Sequence, residues 1–172
     1  MKYLELSTNS FVIADAKKCI NCKLCEVACS VAHSKNAYKT VGNLKSPIMP
    51  RLFVTKVENL NMPIQCHHCE DAPCAKVCIV GAIKKQENKI VINEQECIGC
   101  KACAMACPFG GIEMSLSYKS VANKCDLCNG NSRLACVEAC PKKALSLVNL
   151  KELKENRNKK ALLNLVNMGK EI

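Results

Sequence analysis

Residues 97–108 read CIGCKACAMACP, which sets thiols at Cys97, Cys100, Cys103 and Cys107 and a proline at Pro108. Cys19, Cys22, Cys25 and Cys29, in CINCKLCEVAC, repeat the same C-x2-C-x2-C-x3-C spacing. Two further quartets keep the C-x2-C opening and the C-x3-C close around a longer middle. They are Cys66, Cys69, Cys74 and Cys78 in CHHCEDAPCAKVC, and Cys125, Cys128, Cys136 and Cys140 ahead of Pro141. The quartets use all 16 cysteines, with none left over.

The two compact quartets have the spacing of bacterial ferredoxin loops. Three cysteines at two-residue gaps wrap one corner of a 4Fe-4S cubane, and the fourth, at the start of the next element, points toward a neighbouring cluster. Such loops require residues that tolerate positive φ and let backbone N–H groups approach sulfur; Gly99 and Asn21 meet that need. Disulfides would have to join thiols two residues apart. Structural zinc pairs two C-x2-C units across a long spacer and does not need a third cysteine three residues after the second. The expectation is four 4Fe-4S clusters on sixteen thiolates.

The rest of the composition fits that expectation. Among 172 residues, aromatics make up 3% and tryptophan is absent, so clusters rather than large rings fill the interior. The formal charge of +10 would by itself raise nucleic acid or an anionic membrane as partner. Four clusters at about −2 each with their thiolates bring the total to about +2, so the basic excess reads as counter-charge and nucleic acid is not expected. MKYLELSTNS at the start has no long apolar run and no twin-arginine pair. Runs such as Phe11 to Ala14 and Ala161 to Val166 fall short of the roughly 20 residues a spanning helix needs. A cytoplasmic chain with reduced thiols and no direct membrane span is expected.

Short strands frame the loops. Phe11–Ala14 and Lys89–Ile92 lead into the first and third quartets, while Gly81–Ile83, Gly111–Met114 and Ala144–Val148 lead out of cluster loops. The fold class expected is α+β: two ferredoxin-like dicluster units of short strands and cysteine loops, plus a C-terminal helix. One four-cluster domain would cover residues 1–148, in two pseudo-repeats, 10–80 and 89–148, with a helical extension over 149–172. Residues 37–65 read as a loop and one strand, Arg51 to Val57, laid over the clusters. Nothing pairs a nucleophile with a base, cradles phosphate or leaves a metal site open, so no catalytic residue is expected. His67 and His68 lie inside a quartet that already has four thiols, and read as structural or as tuning potential by hydrogen bonds near sulfur. His33 reads as a surface residue or one close behind the ligands.

With these motifs in place, the chain resembles the four-cluster electron-transfer subunits of molybdenum or tungsten formate dehydrogenases and associated hydrogenases, within the broad family of dimethyl sulfoxide reductase iron-sulfur subunits. The resemblance spans roughly residues 10–148. The short form resembles the small subunits of formate hydrogenlyase and hydrogen-dependent CO2 reductase. It implies a crossed ligation, in which one cluster is held by Cys19, Cys22, Cys25 and Cys140 and a second by Cys29, Cys125, Cys128 and Cys136. The third set is Cys66, Cys69, Cys74 and Cys107, and the fourth is Cys78, Cys97, Cys100 and Cys103. Ile79 stands where the family usually has proline, and Asn21 where glycine is more common; neither removes a ligand.

The resemblance implies a non-catalytic subunit that carries electrons between partner redox enzymes, a formate dehydrogenase or CO2 reductase and a hydrogenase. A freely diffusing polyferredoxin carrier is the alternative, and a zinc-dependent nucleic-acid module is the rival from another class. In the tail, Ala161, Leu165, Met168 and Ile172 recur at helical spacing beside Leu162 and Val166. That stripe either folds back on its own core or docks on another subunit, further copies of similar ferredoxin-like subunits among the candidates.

Overall fold

Each cysteine loop is bracketed by short strands, and these strands pair in twos. The computed structural model describes residues 10–34, 49–116, 119–129 and 133–168, with side chains of the last helix described to residue 163. Strand β1 (Ser10–Ala14) pairs antiparallel with β8 (Leu145–Asn149), joining opposite ends of the chain in the register Val12↔Leu147. The other three pairs are local hairpins: β2 (Leu52–Val57) with β3 (Leu60–Gln65), β4 (Ile83–Gln86) with β5 (Lys89–Ile92), and β6 (Ile112–Met114) with β7 (Ala122–Lys124). Glu58 and Glu87, at φ 51 each, turn the first two of these through two-residue loops.

Four short helices follow the cysteine openings: α1 (Leu24–Ala32), α2 (Pro73–Lys76), α3 (Ala102–Ala106) and α4 (Ala135–Glu138). Each carries a cysteine into the interior, since Cys25 and Cys29, Cys74, Cys103 and Cys136 are all buried. Helix α5 (Leu150–Met168) closes the described chain, its first turn capped where Asn149 Oδ1 accepts the Lys151 N–H at 2.8 Å.

Packing sorts the elements into two cores. In one, Val12, Leu52 and Leu145 pack with Cys25, Cys29 and Cys136, so the first quartet meets the fourth. In the other, Ile83, Ile90, Ile112 and Ala122 pack with Cys74, Cys97 and Cys103, so the second meets the third. Gln65 joins the halves by donating its amide to the Val12 carbonyl. Phe11, His67 and Phe109 stack in parallel beside it, with centroids 5.2 and 4.1 Å apart.

The expected helix after residue 149 is present, and the mixed architecture of short antiparallel strands with a C-terminal helix is as expected. The covering segment differs: the one strand expected over Arg51–Val57 is half of a hairpin. Pro63 hides its second strand, because proline has no N–H and argues against a strand. It is tolerated here since its partner Val54 sends its own N–H to Glu26 Oε1, at 2.7 Å, instead of to the ladder. Strand β7 was also not expected, because ANK over 122–124 has no alternating apolar pattern. Much of the loop ahead of Arg51, residues 35–48, lies outside the described residues.

Candidate metal centres

One backbone device recurs in all four loops. The residue just before the second cysteine is left-handed in each: Asn21 at φ 57, His68 at 47, Gly99 at 71 and Leu127 at 58. This turn folds the C-x2-C segment back on itself, so that His68 N–H donates to Cys66 Sγ at 3.4 Å and Leu127 N–H to Cys125 Sγ at 3.4 Å. At Gly99 any side chain would force the backbone to shift, because a Cβ there would stand 2.2 Å from the Ser120 carbonyl oxygen. Further N–H groups reach sulfur from outside the loops, Arg51 to Cys29 at 3.3 Å, Ala122 to Cys97 at 3.5 Å and Ala144 to Cys140 at 3.2 Å.

The thiols gather around spaces rather than points. One cavity is lined by Cys19, Cys22, Cys25 and Cys140, drawn from the first quartet and the end of the fourth. A second is lined by Cys78, Cys97, Cys100 and Cys103, drawn from the third quartet and the end of the second. Among the described residues no three His, Cys, Asp or Glu side chains converge tightly enough to grip a single ion. Of the sixteen thiols, Cys22 in the first cavity and Cys100 in the second are exposed.

The other eight form two inner groups, each packed against thiols of one cavity. Burial pushes the Cys29 thiol up to about 12, and Cys136 and Cys128 press in the same direction. Burial likewise pushes Cys136 up to about 12, with Cys125, Cys128 and Cys25 adding to it. Burial raises Cys74 to about 11, reinforced by Cys66 and Cys107. Cys69 is raised by burial and by the same two neighbours. Cys125 is raised by burial to about 12, with contributions from Cys66 and Cys29, so the two inner groups also face each other. Thiols held neutral by burial become thiolates only when a cation compensates, which is the condition a metal cluster meets.

A polar brace that the sequence did not announce holds Cys29. Asp126 Oδ2 pairs with Arg51 Nη1 at 2.5 Å and its Oδ1 with His33 Nε2 at 2.9 Å, while His33 Nδ1 lies 2.8 Å from the Cys29 carbonyl oxygen and 3.6 Å from its Sγ. Burial raises the Asp126 carboxyl, but His33 and Arg51 together outweigh it and hold it down at about 2. His33 therefore sits directly behind a thiol. His68 is fully buried, its Nδ1 accepting the Ile90 N–H at 3.0 Å, and burial followed by the Lys124 charge holds it down to about 3. His67 forms the middle of the aromatic stack. No helix among the described residues is long and apolar enough to cross a membrane.

Comparison with known proteins agrees with this chemistry. Residues 57–150 match the family model described as the 4Fe-4S dicluster domain. The chain is 40% identical over 174 residues to the electron transport protein HydN of Escherichia coli K12, covering 90% of this chain and 99% of HydN. It is 39% identical over 174 residues to formate hydrogenlyase subunit 2 of the same strain, covering 81% and 82%. It is also 43% identical over 149 residues to UacF of that strain, where the match spans 86% of this chain but 22% of the longer protein.

Proposed function

The chain belongs to the 4Fe-4S dicluster family of iron-sulfur electron-transport proteins, and on that premise we propose that it is the four-cluster electron-transfer subunit of a redox complex. Each group of four thiols holds one cluster in the crossed arrangement given above. What supports this reading is that the four groups of thiols adjoin one another in turn. The Cys22 cavity adjoins the Cys29 group through Cys25 and Cys136. That group faces the Cys66 group through Cys125. The Cys66 group shares a core with the Cys100 cavity through Cys74, Cys97 and Cys103.

When bound, a cubane supplies a one-electron couple that changes oxidation state with little rearrangement. The residues do the rest: burial, sulfur-directed N–H groups and nearby charges set the potentials, and an exposed thiol at each end offers contact to an outside donor or acceptor. No side chain is assigned to substrate chemistry. The partners proposed are the catalytic subunits of a formate dehydrogenase or CO2 reductase and of a hydrogenase, and the compartment proposed is the cytoplasm.

Anaerobic co-purification of the native chain tests the reading. Recovery with a formate- or hydrogen-oxidising catalytic subunit, and reduction of the bound iron by formate or hydrogen, are expected. A chain that sediments alone at its own mass would favour the diffusing carrier instead.

A further inference from the structure

Among the described residues, Lys124 is the one buried side chain with a permanent charge; its buried polar companions are Ser30, Gln65 and His68, the last held neutral. A buried ammonium is costly unless its charge and its donors are met. Lys124 Nζ donates to the Ile90 carbonyl and, at 3.0 Å, to the Cys125 carbonyl. No carboxylate among the described residues is within ion-pair distance of it. The backbone thus accepts from the ammonium, and among the described residues the charge has no carboxylate counter-ion.

The position of that charge is specific. Lys124 ends β7 one residue before Cys125, and reaches back to Ile90 of β5. Its ammonium bonds the carbonyl of Cys125, a thiol of one inner group, and the carbonyl of Ile90, whose N–H bonds His68 Nδ1 at 3.0 Å in the Cys66–Cys69 loop of the other. One fixed cation therefore sits where the two inner groups meet.

We propose that Lys124 is a positioning residue that raises the reduction potentials of the two inner clusters relative to the two outer ones, so that electrons admitted at either end collect in the middle. The physical reason is that each reduction adds a negative charge, and a desolvated ammonium between the inner sites stabilises the added charge there most. This rests on the four-cluster reading. It goes beyond it by ranking the sites and naming the group that ranks them.

The test is a redox titration of anaerobically purified full-length protein followed by EPR. Cys22→Ser and Cys100→Ser assign the outer signals. Lys124→Gln keeps donors without the charge, Lys124→Met keeps the stem alone, and Lys124→Arg keeps the charge. Both neutral variants are expected to lower the inner potentials by at least about 59 mV, a tenfold change in one-electron occupancy, with the outer pair unmoved and Lys124→Arg close to wild type. Unchanged inner potentials in a fully loaded neutral variant would overturn the proposal, as would equal shifts at all four sites. Loss of iron from both neutral variants but not from Lys124→Arg would also overturn it, by assigning Lys124 to assembly. Wild-type protein with fewer than four clusters would instead defeat the underlying reading, before any variant is made.

Discussion

Arg51 grips Asp126 at 2.5 Å with its guanidinium while its own backbone N–H donates to Cys29 Sγ at 3.3 Å. One residue of the covering hairpin thus ties a first-quartet thiol to the opening of the fourth quartet. Asp126→Asn should cost about 2 kcal/mol at neutral pH, the worth of a carboxyl held at about 2 against an ordinary 3.8. Because the folded-state value is lowered, this stabilisation is fully present above the unfolded value and fades as pH falls through the folded one. Denaturant unfolding of the anaerobic proteins should show wild type the more stable from pH 5 to 8, with the gap narrowing as pH falls from 4 toward 2. A gap that did not narrow below pH 4 would contradict the account.

Iron and sulfide analysis provides the most direct count. Anaerobic preparations should contain about 16 iron and 16 sulfide per chain, four of each per cubane. Removing the iron should unfold the protein, because both cores are built around thiols and contain no aromatic side chain. A cooperatively folding protein with fewer than about eight irons, or one carrying zinc, would count against four clusters.

The ligation pattern can be read from pairs of variants. Cys140 and Cys19 line the same cavity, so Cys140→Ala and Cys19→Ala should perturb one EPR signal. If adjacent quartets paired instead, Cys140→Ala would share its signal with Cys97→Ala.

Two left-handed glycines make a controlled comparison. Gly99, at φ +71, faces the Ser120 carbonyl, whereas Gly110, at φ +63, has open space where a Cβ would go. Gly110→Ala should cost about 1 kcal/mol, the left-handed penalty alone. Gly99→Ala must also displace Ser120 and should cost about 3 kcal/mol. Equal losses in chemical denaturation would mean that the clash at Ser120 relaxes freely.

What could be read from the sequence was chemical and local. Cysteine spacing announced the loops, and Asn21 and Gly99 announced two of the four left-handed turns because their side chains favour such turns. His68 shares that leaning, but a histidine between two cysteines reads first as a potential-tuning group; Leu127 adopts the turn without any such preference, and only its position before the second cysteine marks it. Arg51, His33 and Asp126 were illegible as a brace, since charged residues far apart in the chain ordinarily read as surface. Lys124 was hidden for the same reason: a lysine in a short polar strand gives no sign of burial. The pairing of β1 with β8 depends on bringing the two ends of the fold together, which no local pattern encodes.

Helix α5 projects no apolar side chain into either core among the described residues. Its 19 residues span about 28 Å, and its main contact with the rest of the chain is the junction with β8. Leu162 and Leu163 are 62% and 63% exposed, so the described part of the apolar stripe does not fold back on the cluster core. The side chains of Leu165, Val166 and Met168, and all of Ile172, lie outside the described residues. An exposed leucine pair on a projecting helix fits a role in holding a partner subunit better than a role in packing. Asn149 pairs with Ser10 in the β1–β8 ladder and caps the helix, so a clean truncation begins after it. Removing residues 150–172 should leave about 16 irons per chain and the EPR spectrum intact, while the native complex loses mass in sedimentation. An unchanged complex would remove the docking role, and lost iron would show that the helix belongs to the cluster fold.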